Sequence, residues 1–180
     1  MTQYVALLRG INVGKNKRVP MAELRDLLTE LGYENPATLL NSGNAVFDAT
    51  GSTTEIQSAL ETGIAKRFGF EVDVVIRSIK QIDAVLKLNP LEEVASDDSM
   101  YVVAFLSDKP DAKAAKALQA EDWKPEQLVI KGGELYAWCP NKINDSPLLK
   151  AAGKAKLSDH MTVRNWRTVH KIAELAHKTN

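Results

Sequence analysis

Residues 37–47 read Ala-Thr-Leu-Leu-Asn-Ser-Gly-Asn-Ala-Val-Phe. Two apolar runs suited to strands, Ala37–Leu40 and Ala45–Phe47, flank the turn Asn41-Ser42-Gly43-Asn44. Asn and Gly tolerate the positive φ angles of a tight reversal, so the stretch predicts a β-hairpin. A hairpin here fixes what its neighbours must be. Upstream, Tyr4–Leu8 is a short β-rich apolar run, and Pro20 opens a helix in which Met21, Leu24, Leu27, Leu28 and Leu31 keep helical spacing until Gly32. Downstream, Ser52 and Glu55 form a capping box for a second helix carrying Ile56, Leu60, Ile64 and Phe68, and Val72–Ile76 reads as a fourth strand. The order β-α-β-β-α-β is the ferredoxin-like pattern. A connecting helix follows, with Ile79, Ile82, Val85 and Leu86 as its apolar residues.

Asn89-Pro90 and the acidic segment Glu92–Ser99 read as a linker, after which the order recurs. Met100–Leu106 is a strand and Pro110–Gln119 an alanine-rich helix. Leu128–Ile130 and Leu135–Trp138 are strands joined through Lys131-Gly132-Gly133-Glu134. Ser146-Pro147 supplies an N-cap and a first helical residue. Met161–Val163 is a short last strand, and Asn165 caps a final helix bearing Trp166, Val169, Ile172, Ala173 and Ala176. The expected class is therefore α+β: two ferredoxin-like (βαββαβ) subdomains in tandem, each followed by an extra helix. Residues 1–90 form the first with its connecting helix, and residues 98–180 the second. The repetition is one of topology; no residue-level repeat accompanies it.

Composition narrows the function classes without choosing among them. The 23 basic and 23 acidic side chains cancel, so net charge exerts no general pull toward nucleic acid or membrane. Charge is uneven along the chain. Residues 81–126 carry ten acidic against five basic side chains, and residues 141–180 eight basic against three acidic. The single cysteine, Cys139, excludes an internal disulfide and fits a reducing compartment. No segment approaches the ~20 apolar residues of a membrane span, and the N-terminus lacks a secretory pattern. The reading is a cytoplasmic protein with no membrane association; nothing in the sequence sets its oligomeric state.

Three stretches are candidates for binding. Arg9-Gly10-Ile11-Asn12-Val13-Gly14 leaves the first strand and enters Lys15-Asn16-Lys17-Arg18, a glycine-rich basic loop of the kind that suits an anion. It is no P-loop: three residues separate the glycines instead of four, and Asn16 stands where a Ser or Thr would hold magnesium. It is no dinucleotide fingerprint either, because G-x-G-x-x-G is absent. The Asn41–Asn44 turn offers Ser42 and Asn44 as neutral hydrogen-bonding groups, although turn chemistry alone accounts for it. Arg164-Asn165-Trp166-Arg167-Thr168 places two arginines at a helix start, where anions are favoured; core packing by Trp166 and capping by Asn165 explain the same residues.

Other constellations are weaker. Cys139 with His160 has no nucleophile spacing. His160, His170 and His177 make no metal pattern, and neither H-E-x-x-H nor C-x-x-C occurs, so no metal or cofactor is expected. The ferredoxin-like pattern is shared with RNA-recognition modules, whose central strands carry stacking aromatics. Tyr4 and Phe47 are the local candidates, but the basic-Gly-aromatic signature is missing.

Taken together, Arg9–Gly14, then Val19-Pro20-Met21-Ala22-Glu23-Leu24-Arg25, then Ser42-Gly43-Asn44 with Phe47, then Thr162–Val169 resemble the bacterial domain-of-unknown-function family 1697. The resemblance runs from about Tyr4 to Ala176 and implies a two-part α/β fold of ferredoxin-like subdomains. It implies no activity. The family more often shows Ser-Lys-Leu where this chain has Ser146-Pro147-Leu148, and Trp-Asn-Thr where it has Trp166-Arg167-Thr168, so roles resting on those residues do not carry over.

The expectation is a bacterial protein that binds a small anionic or phosphorylated ligand through Arg9, Asn12, Lys15, Ser42, Asn44, Arg164, Asn165 and Trp166. Nucleic-acid binding through the same basic residues, or a non-catalytic interaction role, is the alternative. No residue set identifies a reaction, so whether the protein is an enzyme stays open and catalytic residues are not assigned.

Overall fold

The computed structural model describes residues 1–179. The elements run β1 (Thr2–Leu8), α1 (Met21–Glu30), β2 (Glu34–Leu39), β3 (Asn44–Ala49), α2 (Thr53–Phe68), β4 (Val74–Ser78) and α3 (Ile79–Leu88). They continue with β5 (Tyr101–Leu106), α4 (Ala112–Ala120), β6 (Gln127–Lys131), β7 (Glu134–Trp138), α5 (Pro147–Lys154), β8 (Met161–Asn165) and α6 (Trp166–Lys178). The strands make two four-stranded sheets, ordered β2-β3-β1-β4 and β6-β7-β5-β8, and every pairing is antiparallel. That is the ferredoxin-like order, formed twice. The chain divides into two compact units, Met1–Asp83 with Lys171–Asn180, and Ala84–His170.

In the first unit, alternate residues of β1 face the helices: Tyr4, Ala6 and Leu8 join Ala45 and Phe47 of β3 under Leu24 and Leu28 of α1 and Ile56, Leu60 and Ile64 of α2. Each fully buried aliphatic side chain contributes about 1.5–3 kcal/mol, which makes this cluster the main stabiliser of the unit. The other face of β1 is also buried, at Gln3, Val5 and Leu7. There the Gln3 amide donates to the Ala176 carbonyl of α6 at 3.1 Å. In the second unit Val102, Ala104 and Leu106 of β5 pack with Leu118 of α4 and Leu148 and Ala152 of α5.

Several boundaries differ from the sequence reading; β2, for one, runs from Glu34 to Leu39 and leaves out Leu40. β4 begins at Val74, not Val72, because its partner β1 sets the register: Leu8 faces Val74 and Tyr4 faces Ser78. Val72 enters the core from the loop before it. α4 starts after Asp111, whose carboxylate accepts the Ala114 N–H at 2.8 Å, so the cap and not Pro110 sets its start. β8 extends through Asn165, which pairs with Val102.

Edge strands are partly closed by side chains. Glu61 accepts the Val74 N–H of β4 at 2.9 Å, and Gln119 accepts the Ile130 N–H of β6 at 3.1 Å. An edge amide taken up this way is unavailable for pairing with another chain.

The capping box at α2 is complete. Ser52 Oγ accepts from the Glu55 N–H at 3.3 Å, while the Ser52 N–H donates to the Glu55 carboxylate at 2.8 Å. These bonds hold the Glu55 carboxyl below the usual carboxylate range. Its contribution is therefore present above the unfolded-state pKa and lost as pH falls through the folded-state value. Ser52→Ala is expected to cost about 1 kcal/mol and lower Tm by about 2–4 °C at pH 7, with a smaller loss near pH 3, measured by thermal unfolding.

Candidate functional site

The Arg9–Val19 loop is built around one carboxamide. Asn12 takes a left-handed backbone, φ 55°, as do Gly10 and Gly14 at 65° and 61°. Asparagine and glycine are the residues that adopt this region at least cost. The Asn12 amide donates to the carbonyls of Val19 at 2.9 Å and Asn41 at 2.8 Å, and its oxygen accepts the Val19 N–H at 2.9 Å. The Asn12 N–H also closes onto the Lys17 carbonyl at 3.0 Å. One side chain thus ties the start of the loop to its end and to the β2–β3 turn.

The turn is pressed onto the same place. The Leu8 N–H donates to the Gly43 carbonyl at 2.8 Å. Gly43 has φ 83°, and a Cβ on it would lie 2.7 Å from both Leu8 Cβ and Ile11 Cδ1. Glycine is required here twice over, by backbone angle and by space. Asn44 is fully buried and donates to the Leu39 carbonyl at 2.8 Å and to Ser42 Oγ at 3.1 Å. The first two sequence motifs therefore converge into one rigid corner, with Asn12 and Asn44 as its internal ties and Ser42 on its surface.

The cations of the loop divide into two groups. Arg9 Nη1 meets Asp73 Oδ2 at 3.0 Å with both side chains about half exposed, and Lys17 Nζ donates to the Glu71 carbonyl at 2.8 Å. Glu71 and Asp73, with Glu61, Thr62, Ala65, Lys66 and Val72, line a groove of about 510 Å³. Arg9 and Lys17 are thereby turned toward an acidic wall. Lys15 and Arg18 are exposed and form no ion pair among the described residues. Arg18 stood outside the expected ligand-contact set, although the basic run Lys15–Arg18 marks it in the sequence as a cation of the nucleic-acid alternative.

Arg164, Asn165 and Trp166 belong to the second unit. Arg164 is buried on β8 and donates from Nη1 to Thr162 Oγ1 and the Val163 carbonyl, each at 2.9 Å. Burial lowers its guanidinium to about 10, which leaves it charged at neutral pH. Asn165 Oδ1 accepts the Thr168 N–H at 2.9 Å, the cap expected from sequence. Trp166 is buried and stacks on Tyr101 with ring centroids 4.6 Å apart. The end of β4 has a matching arrangement: Arg77 donates to the Ile76 carbonyl at 2.9 Å, and Ser78 caps the helix that follows. Ile76-Arg77-Ser78 and Val163-Arg164-Asn165 are thus equivalent positions of the two units.

Cys139 is fully buried and contacts Ser146 Oγ at 3.6 Å. Burial pushes its thiol up to about 11, so at neutral pH it is protonated and a poor nucleophile. Tyr4 and Phe47 lie on the helix-covered face, Phe47 stacked on Tyr33 at 4.9 Å, and are not offered for base stacking.

Fold and site define an α+β protein of two ferredoxin-like units in tandem, with a basic corner where the first strand ends. The chain belongs to the family described as "Protein of unknown function (DUF1697)", which it matches over residues 1–136, a span that holds both corner motifs. The solved structure of conserved bacterial protein SP0830 from Streptococcus pneumoniae is similar, with 31% identity, a TM-score of 0.78, and coverage of 98% of this chain and 99% of that one. A comparison with curated proteins finds no match. Among the described residues no helix is long and apolar enough to cross a membrane, and no group of three or more His, Cys, Asp or Glu side chains is placed to hold a metal.

Gly43→Ala is expected to cost about 2–4 kcal/mol, combining positive-φ strain with overpacking against Leu8 and Ile11. Gly10→Ala meets open space and is expected to cost only about 1–2 kcal/mol. Denaturant unfolding of the two variants, referred to wild type, checks the order; equal losses would remove the packing argument.

Proposed function

We propose that the protein is a binding protein whose basic corner holds an anionic ligand, phosphate-bearing or carboxylate-bearing. Contacts come from Lys15, Arg18 and Ser42, while Asn12 and Asn44 hold the frame and Arg9 stays paired with Asp73. The observation that carries this reading is the Asn12 tie: it draws the loop and the turn together and leaves Lys15 and Arg18 exposed without an anionic partner. A rigid backbone with uncompensated cations loses little entropy when an anion arrives, the usual basis of a preorganised site. Charge-assisted hydrogen bonds from lysine and arginine are the strong ones available there.

Arg164, Asn165 and Trp166 fall outside the proposed contact set, since each already serves the second unit as a buried donor, a cap and a packed ring. The acidic groove beside the loop disfavours an anion, which directs the ligand to the outer side of the corner.

Thermal unfolding in low salt with added inorganic phosphate, pyrophosphate or nucleoside phosphates tests the reading. At least one anion is expected to raise Tm by about 2 °C or more at a concentration well above its Kd. The double variant Lys15→Ala/Arg18→Ala is expected to keep its unliganded Tm and lose that rise. A rise that persists in the double variant, or no rise with any anion, contradicts the proposal.

A further inference from the structure

The corner also carries an unusual apolar feature. The exposed large hydrophobic side chains of the described residues are Met1, Val13, Leu40 and Val94. Val13 is 71% exposed and Leu40 50% exposed, and they are the sequence neighbours of Asn12 and Asn41, the pair joined by the 2.8 Å bond. Two separate turns therefore raise one apolar side chain each from the same tied corner, beside Lys15 and Arg18. Leu40 holds φ 59°, a left-handed backbone that a leucine adopts only at a cost. Half of the side chain nevertheless faces solvent. Exposed apolar residues ringed by charge are the mark of a contact surface.

A complementary surface lies elsewhere in the chain. Val94, 37% exposed, sits in the segment Leu91-Glu92-Glu93-Val94-Ala95-Ser96-Asp97-Asp98. Glu92, Glu93 and Asp98 are exposed and make no salt bridge among the described residues, while Asp97 is occupied by Ser99 and Arg167. One surface thus presents apolar tips with unpaired cations, and the other an apolar tip with unpaired carboxylates.

We propose that the corner docks a second copy of this chain through that copy's Glu92–Asp98 segment, with Val94 meeting Val13 and Leu40 and the carboxylates meeting Lys15 and Arg18. The proposal rests on the anion-binding reading of the corner and names its partner as a carboxylate-bearing protein segment. The contact joins two different patches of the chain. A patch of this size belongs with weak, transient contacts, formed and steered by charge.

Sedimentation or light scattering of the full chain between about 20 µM and about 1 mM tests it at low salt. The mean mass is expected to rise with concentration, and the rise to fall by at least half in about 0.5 M salt, where screening acts within about 3–5 Å. Val13→Ser/Leu40→Ser is expected to abolish the rise while keeping the phosphate-induced Tm shift. Lys15→Glu/Arg18→Glu is expected to abolish both. Adding Glu92→Lys/Glu93→Lys to that second variant is expected to restore the rise in mass. A mass of one chain at all concentrations overturns this docking, as does a rise unaffected by the apolar pair or unrestored by the charge reversal. If the phosphate shift survives such a result, the anion-binding reading stands without it; if the phosphate shift is absent while the mass still rises, only the small-anion reading falls.

Discussion

The Asn12 carboxamide is the interaction on which the corner depends. It spends both donors and its oxygen on the backbone of Val19 and Asn41, and so fixes a twelve-residue excursion that has no regular secondary structure of its own. A loop with four left-handed residues would otherwise sample many conformations, and ordering each residue costs about 1–2 kcal/mol. Three hydrogen bonds from one side chain, with the Gly43 approach beneath them, offset part of that cost. The proposed function rests on this tie: cations on a mobile loop give diffuse attraction, whereas cations on a tied loop can be placed for a ligand.

The corner sits where it does because of the sheet. β1 is bordered on both sides, by β3 and β4, so its last residues are held by pairing on each edge. Leu8 faces Val74 across one edge and donates its N–H to the Gly43 carbonyl at the other. Asp73 and Glu71, one step before β4, then become the natural partners of Arg9 and Lys17. In the second unit the equivalent strand end is solved differently: the short Gly132-Gly133 turn leaves the Leu106 N–H to the buried carboxylate of Glu134 at 2.9 Å. The same topology thus ends in a basic loop in one unit and in a compact carboxylate-closed turn in the other.

Much of this was legible in the residues. Helix starts at Ser52, Ser146 and Asn165 were readable because caps act within four residues of the chain, the start at Pro20 because of proline's fixed φ, and both hairpins because Asn and Gly mark the turns. The start of β4 was not readable, since register is set by a partner strand more than sixty residues away. The roles within the motifs were also hidden. Asn12 and Asn44 look like ligand groups in sequence, but the fold turns Asn12 onto the backbone and Asn44 onto the Leu39 carbonyl and the Ser42 hydroxyl. Leu40 reads as the end of an apolar strand, and only its backbone angle shows that it leaves the sheet and faces solvent. Arg164 reads as a surface cation because burial of a β8 side chain depends on the strand's face, not on its type.

The amide hydrogen exchange of Val19 tests the tied loop most directly. In wild type this amide donates to Asn12 Oδ1, so it is expected to exchange at least about tenfold more slowly than an open loop amide. In Asn12→Ala that protection is expected to vanish while the amide of Val5, inside β1, keeps its own. A Val19 amide that exchanges at open-loop rates in wild type would contradict the account.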